Sequence, residues 1–204
     1  LYGDIGPSFG KNMRERTHAT FAPGVMVESA EGIRATVIGA GEYTLQASGS
    51  TSYISTHDVL PVRGIQVARA LIDKEQSSQQ MRDALLGALG KYDMDHLNAD
   101  MALALSISGQ PDYGYIRKLA ESIAGVVDMT EDPSAPLFVV VDVDVAKSLG
   151  GILREEIKLD RALIAVDGID VGDLDYIDIG KPMGVSEVIP VTVKSLIFAL
   201  RSAS

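Results

Sequence analysis

PLFVVVDVDVAKSLGGILREEIKLDRALIAV, residues Pro136–Val166, contains a complete strand–helix–strand unit. PLFVVV is an unbroken apolar run rich in β-branched side chains, so Pro136–Val143 suits a strand buried on both faces. Val145–Ile157 changes to a helical period, and Ala162–Val166 (ALIAV) is a second fully apolar strand. Strands without polar alternation, separated by a helix, imply a parallel sheet covered by helices. The same rhythm continues upstream. Ile116, Leu119, Ile123 and Val126 recur at i, i+3, i+7 and i+10, which predicts an amphipathic helix. Before it, Met101–Ile107 (MALALSI) predicts a buried strand bounded by Gly109 and Pro111, and Met81, Leu85, Leu86 and Leu89 form the core stripe of a helix over Ser77–Leu89. Downstream, Tyr176–Ile179 and Val188–Val193 predict two strands joined through Gly180–Gly184.

The N-terminal third reads differently. Asp4 caps a short helix over Ser8–Arg16, with Pro7 in its first turn, and Ala22-Pro23-Gly24 breaks it. Ile33–Ile38 (IRATVI) predicts a strand that runs into Gly39-Ala40-Gly41. Leu45–Thr56 is small and polar, and Pro61–Ile72 alternates as a second strand. A boundary at residues 72–76 separates a glycine-rich β portion, residues 1–72, from a regular α/β region, residues 73–204. The expected class is α/β, with a mainly parallel or mixed sheet covered by helices.

Composition excludes several functions. The 204 residues carry 18 basic and 28 acidic side chains, a net charge of −10, and no basic cluster to drive nucleic-acid binding. Without cysteine there is no disulfide framework, thiolate metal site or cysteine nucleophile. No apolar run approaches the ~20 residues of a spanning helix. The sequence reads as a soluble, intracellular protein. It opens at Leu1 with neither methionine nor a signal-like stretch, as a piece of a longer chain would.

Few residues announce chemistry. Gly39, Ala40, Gly41 and Glu42 follow a predicted strand, and missing or minimal side chains there let backbone approach a flat or phosphorylated ligand; an ordinary turn reads equally well. Thr44 occupies the third-glycine position of a dinucleotide fingerprint, and no phosphate-loop lysine follows. Asp142 and Asp144, two apart at a strand end, suit either a divalent cation or a solvated end with Asp144 capping the next helix. Gly150-Gly151 inside that helix implies a close packing contact, and the five aspartates of Asp167–Asp178 imply an acidic hairpin protecting a sheet edge. His18, His57 and His96 have no ligand spacing.

Three stretches together carry a resemblance: IRATVIGAGEYTLQASGSTSY (Ile33–Tyr53), PLFVVVDVDVAKSLGGIL (Pro136–Leu153) and DYIDIGKPMGVSEVIPVTVKSLIF (Asp175–Phe198), with DIGPSFGKNM near the start. They resemble the EutA family of ethanolamine ammonia-lyase reactivating factors, whose fold is similar to that of the actin and Hsp70-type ATPases. The resemblance implies the C-terminal part of such a fold: residues 1–72 complete an actin-like lobe, and residues 73–204 are an additional α/β region. It implies ATP and Mg²⁺ as cofactors, with Gly39, Ala40, Gly41 and Glu42 against the adenosine. The phosphate-gripping hairpins and metal ligands would lie earlier in the chain, so this portion would be inactive alone. The implied role is a chaperone that releases damaged cobalamin from adenosylcobalamin-dependent ethanolamine ammonia-lyase, in the cytoplasm and in association with a bacterial microcompartment. Two other classes compete: a small metal-dependent enzyme using Asp142 and Asp144, and a partner-docking scaffold without a nucleotide site.

Overall fold

The computed structural model describes residues 6–21, 41–48, 51–94, 97–130, 132–184 and 188–196. The chain divides into two compact units, Leu1–Gly39 and Ala40–Ser204. In the first, helix α1 runs over Gly6–Thr20, longer at both ends than the sequence predicts. The Thr17 and Thr20 hydroxyls donate to the carbonyls of Met13 and Arg16, both at 2.7 Å, which feeds the last turn from its own side chains. Asp4, the predicted strand Ile33–Ile38 and the Ala22–Gly24 break lie outside the described residues.

The second unit is built on a mixed sheet of eight described strands. They are β1 (Gly41–Ser48), β2 (Tyr53–Ile54), β3 (Val62–Asp73), β4 (Met101–Ser108), β5 (Leu137–Val141), β6 (Leu163–Asp167), β7 (Tyr176–Ile179) and β8 (Ile189–Leu196). Their order is β1-β8-β7-β3-β4-β5-β6-β2. Strands β3 to β6 run parallel, while β7, β8, β1 and β2 join antiparallel. Within the parallel segment, β4 to β6 are the strands the apolar runs predict, while β3 is the alternating strand read upstream of the boundary at residues 72–76.

Helices α2 (Ser78–Gly90), α3 (Tyr113–Val127) and α4 (Ala146–Gly151) connect the parallel strands. Ser77 and Gln80 form a reciprocal cap at the start of α2, Ser77 Oγ accepting from the Gln80 amide at 3.3 Å and Gln80 Oε1 from the Ser77 amide at 2.9 Å. Asp112 Oδ1 accepts the Tyr115 amide at 2.9 Å and starts α3. Helix α4 continues as a π-helical turn, Ile152–Glu156. Met81, Leu85 and Leu89 of α2 and Leu119 and Ile123 of α3 pack with Ala68, Ile72, Leu103 and Leu105 in one apolar cluster. A Cβ on Gly150 would lie 2.3 Å from Tyr53 Cγ, so this glycine is where α4 presses on β2, while Gly151 faces open space.

The other sheet face buries a second cluster, including Ile65, Val67, Ala104, Phe138, Val140, Ile164 and Val191. The helices cover the first face, and this second face is covered because the sheet curls. β1 and β2 occupy opposite edges, which in a flat eight-stranded sheet would be about 33 Å apart. Yet Ser48 ends one and Tyr53 begins the other, five residue steps that span at most ~18 Å. The edges must approach, and they do. Gln46 of β1 exchanges two hydrogen bonds of 2.9 Å with the backbone of Asp170, just beyond β6.

Leu45–Thr56, small and polar in sequence, holds the second half of β1 and all of β2. β1 shows little apolar patterning because its outer face is exposed (Leu45 is 73% accessible) and its order comes from pairing with β8. The expected edge hairpin over Asp167–Asp178 does not form, because β7 lies inside the sheet between β8 and β3. There Asp178 accepts the Gly64 amide at 2.7 Å and pairs with Lys194 at 2.6 Å, pinning the irregular start of β3.

Candidate functional site

Open α/β sheets bind ligands beyond the carboxyl ends of their parallel strands. Here those ends present Asp73 (β3), Ser108 (β4), Asp142 (after β5) and Asp167 (β6). Most are committed to the protein itself. Asp73 Oδ1 accepts the Glu75 amide at 2.9 Å. That amide, then the Ser108 hydroxyl and the Lys118 charge, hold its carboxyl below the usual range. Lys118 donates to the carbonyls of Lys74 and Gln76, and Lys74 pairs with Asp112 at 2.6 Å.

Tyr115 sits beneath this rim, its hydroxyl reaching the Ile72 carbonyl at 2.9 Å and that of Ser108 at 3.2 Å. Burial first, then the charges of Asp73 and Asp142, push its phenol up to about 12 from 10.0. Between these values the unfolded chain ionises while the folded protein holds its proton, so folding stability is lost as pH rises. The expected loss is about 2–3 kcal/mol. Urea unfolding at about pH 9 and about pH 11.5 measures it, and Tyr115→Phe should flatten the slope by that amount. An unchanged slope would remove Tyr115 as the cause.

Asp142 Oδ1 accepts the Ile107 amide at 3.0 Å, and Asp144 is exposed. Among the described residues no three histidine, aspartate or glutamate side chains gather as metal ligands. Asp144 does not cap α4 with its side chain. That amide, Ala146 N, is instead taken by Asp167 Oδ2 at 3.3 Å, from the end of a neighbouring strand.

Asp167 is the most connected carboxylate of the rim and only 4% accessible. Its Oδ1 accepts from Ser48 Oγ at 3.1 Å and Thr51 Oγ1 at 3.0 Å, and its amide donates to Ser48 Oγ at 3.0 Å. Ser52 Oγ lies 2.6 Å from Ser48 Oγ. Ser48 and Thr51 are thus clamped by one carboxylate, 119 and 116 residues away. No spacing rule exposes such a partner.

β1 carries this clamp at one end and Gly41 and Glu42 at the other. Both pair with β8, opposite Leu196 and Ser195. β1 pairs with no second described strand, so one backbone edge at Gly41–Glu42 is not taken by a ladder. Gly39 and Ala40 lie outside the described residues. At the opposite end of the sheet, His57, Asp58, Leu60, Lys181, Pro182 and Gly184 line an open cleft of about 570 Å³.

The model of the family described as ethanolamine utilisation protein EutA matches residues 1–199. The chain belongs to the EutA family. Over 198 residues it is 35% identical to the ethanolamine ammonia-lyase reactivase EutA of Salmonella typhimurium, covering 97% of this chain and 40% of that protein. The reactivase of Escherichia coli K12 is 34% identical over 197 residues, with the same coverage. The chain therefore spans about two fifths of the length of these EutA relatives. No solved structure matches it. No described helix is long and apolar enough to cross a membrane.

Proposed function

We propose that this chain is the C-terminal portion of a reactivating factor for ethanolamine ammonia-lyase. In this reading the whole protein binds ATP with Mg²⁺ and, as a chaperone, opens the lyase so that damaged cobalamin leaves and intact adenosylcobalamin enters. The observation that carries it is identity of 35% across 97% of the chain with a relative named a reactivase of that enzyme. The backbone edge at Gly41 and Glu42, which no described strand occupies, supports a nucleoside contact there, with Gly39 and Ala40 completing it. Both proteins would work in the cytoplasm, in association with a microcompartment.

Coupling ATP to release requires nucleotide states that differ in affinity for the lyase, because a ligand shifts only an equilibrium whose states it binds unequally. The metal's ligands are not assigned, since the described residues hold no suitable group. The test is the full-length protein added to cyanocobalamin-inactivated lyase with adenosylcobalamin, ATP and Mg²⁺. Activity should return, and should not return when ATP is omitted. Failure of the complete mixture would overturn the proposal.

A further inference from the structure

We infer that Arg69, Ser106 and Leu71 form an oxyanion-binding site on the open face at the carboxyl ends of β3 and β4, fitted to a small phosphate or carboxylate compound with an apolar body. The sheet pattern places these residues together. Along β3, Ile65 and Val67 belong to the second apolar cluster, and strand alternation puts Arg69 and Leu71 on the same face, further toward the carboxyl end. On β4, Ala102 and Ala104 belong to that cluster, and Ser106 follows them on the same face. Arg69 is in register with Ala104, and Leu71 with Ser106. The cluster is closed at Val67 and Ala104, which are 0% and 1% accessible. One layer further it opens, with Leu71 65% accessible.

The chemistry of Arg69 then identifies the ligand class. Its Nε and Nη2 both donate to Ser106 Oγ, at 3.2 and 2.9 Å. One side of the guanidinium fork is spent on a neutral oxygen, which orients the group without neutralising it. The Nη1–Nη2 end keeps the two parallel donors that match a carboxylate or phosphate edge. Arg117 and Arg154 pair with carboxylates, but Arg69 has no carboxylate partner among the described residues. Asp142, beside β4, is occupied by the Ile107 amide. A half-buried cation, oriented by Ser106, with no described carboxylate partner and with an accessible leucine beside it, is suited to an anion with an apolar part.

The site can be tested on this chain without ATP or the lyase, so its failure is distinct from failure of the reactivase reading. Inorganic phosphate and butyrate are titrated separately at low ionic strength while NMR follows the Leu71 and Ser106 backbone amides in every variant, and the Arg69 Nε–Hε resonance where it is present. Saturable shifts with one or both are expected, and which anion binds tighter separates the phosphate source from the carboxylate source. Arg69→Gln should weaken binding about 10- to 100-fold, the loss of a charge-assisted pair. Arg69→Lys keeps the charge and the fold but not the fork, and should also lose at least about tenfold. Arg63→Gln, exposed at the other end of β3, should leave binding unchanged. No saturable shift up to about 0.1 M, where screening confines charge effects to ~10 Å, would overturn the inference. So would equal weakening by Arg63→Gln and Arg69→Gln, or full binding by Arg69→Lys.

Discussion

Asp167→Ala is expected to destabilise the second unit by about 3–4 kcal/mol, read as a lower urea midpoint at unchanged slope. The substitution leaves Ser48 Oγ, Thr51 Oγ1 and the Ala146 amide without their acceptor in a site only 4% accessible. Each donor stranded in that way costs about 1–3 kcal/mol, and three in one network fall short of additivity. Asp167→Asn is the informative partner. It keeps one carbonyl acceptor and nearly the same volume, so it should lose less than half as much. The clamp also joins the tail of β1 to the end of β6, so the alanine variant should raise amide exchange in β1 before it does so in β4. A loss below about 1 kcal/mol, the ordinary value of a single net hydrogen bond, would show that the network is not a structural clamp.

Phe138→Ala should cost about 3–5 kcal/mol by the same measurement. Phe138 is 1% accessible on β5, in register with Ala102 of β4 and Ile164 of β6. Its neighbours across the strands are small or branched and held by ladders on both sides, so they have little freedom to collapse into the vacated volume. Phe138→Leu fills most of the space and should recover more than half the loss. If alanine and leucine proved equally mild, the second cluster would be loosely packed and the curl of the sheet would need another source of order.

The parts of the fold legible in the sequence are those governed by local period. MALAL, LFVVV and LIAV are buried on both faces, and an all-apolar run is what such burial demands. The Met81-Leu85-Leu89 stripe marks α2 for the same reason, since one face of a helix must be apolar to dock. Strand β1 escapes this reading. Tyr43 and Leu45 face solvent, and β8 supplies its order through backbone bonds that any sequence can make. Asp178 escapes it too, because its partners Gly64 and Lys194 are remote in the chain.

Of the candidate sites, the run Gly39–Glu42 was visible as a pattern, for glycine beside a strand is a local signal. The Arg69 site was not. An arginine inside an alternating strand looks like any solvated residue until Ser106, 37 positions later, is seen to orient it and Leu71 to lie open beside it.

Periodicity and composition alone thus determined the α/β class, the parallel order of the central strands and the absence of thiol chemistry, because each follows from neighbours within a few turns of chain. Only the tertiary structure decided that the sheet curls until Gln46 meets Asp170, that Asp167 rather than Asp144 serves the start of α4, and that Ser106 orients Arg69, which has no carboxylate partner among the described residues. Those features depend on strand twist accumulated across the sheet and on partners up to 124 residues apart.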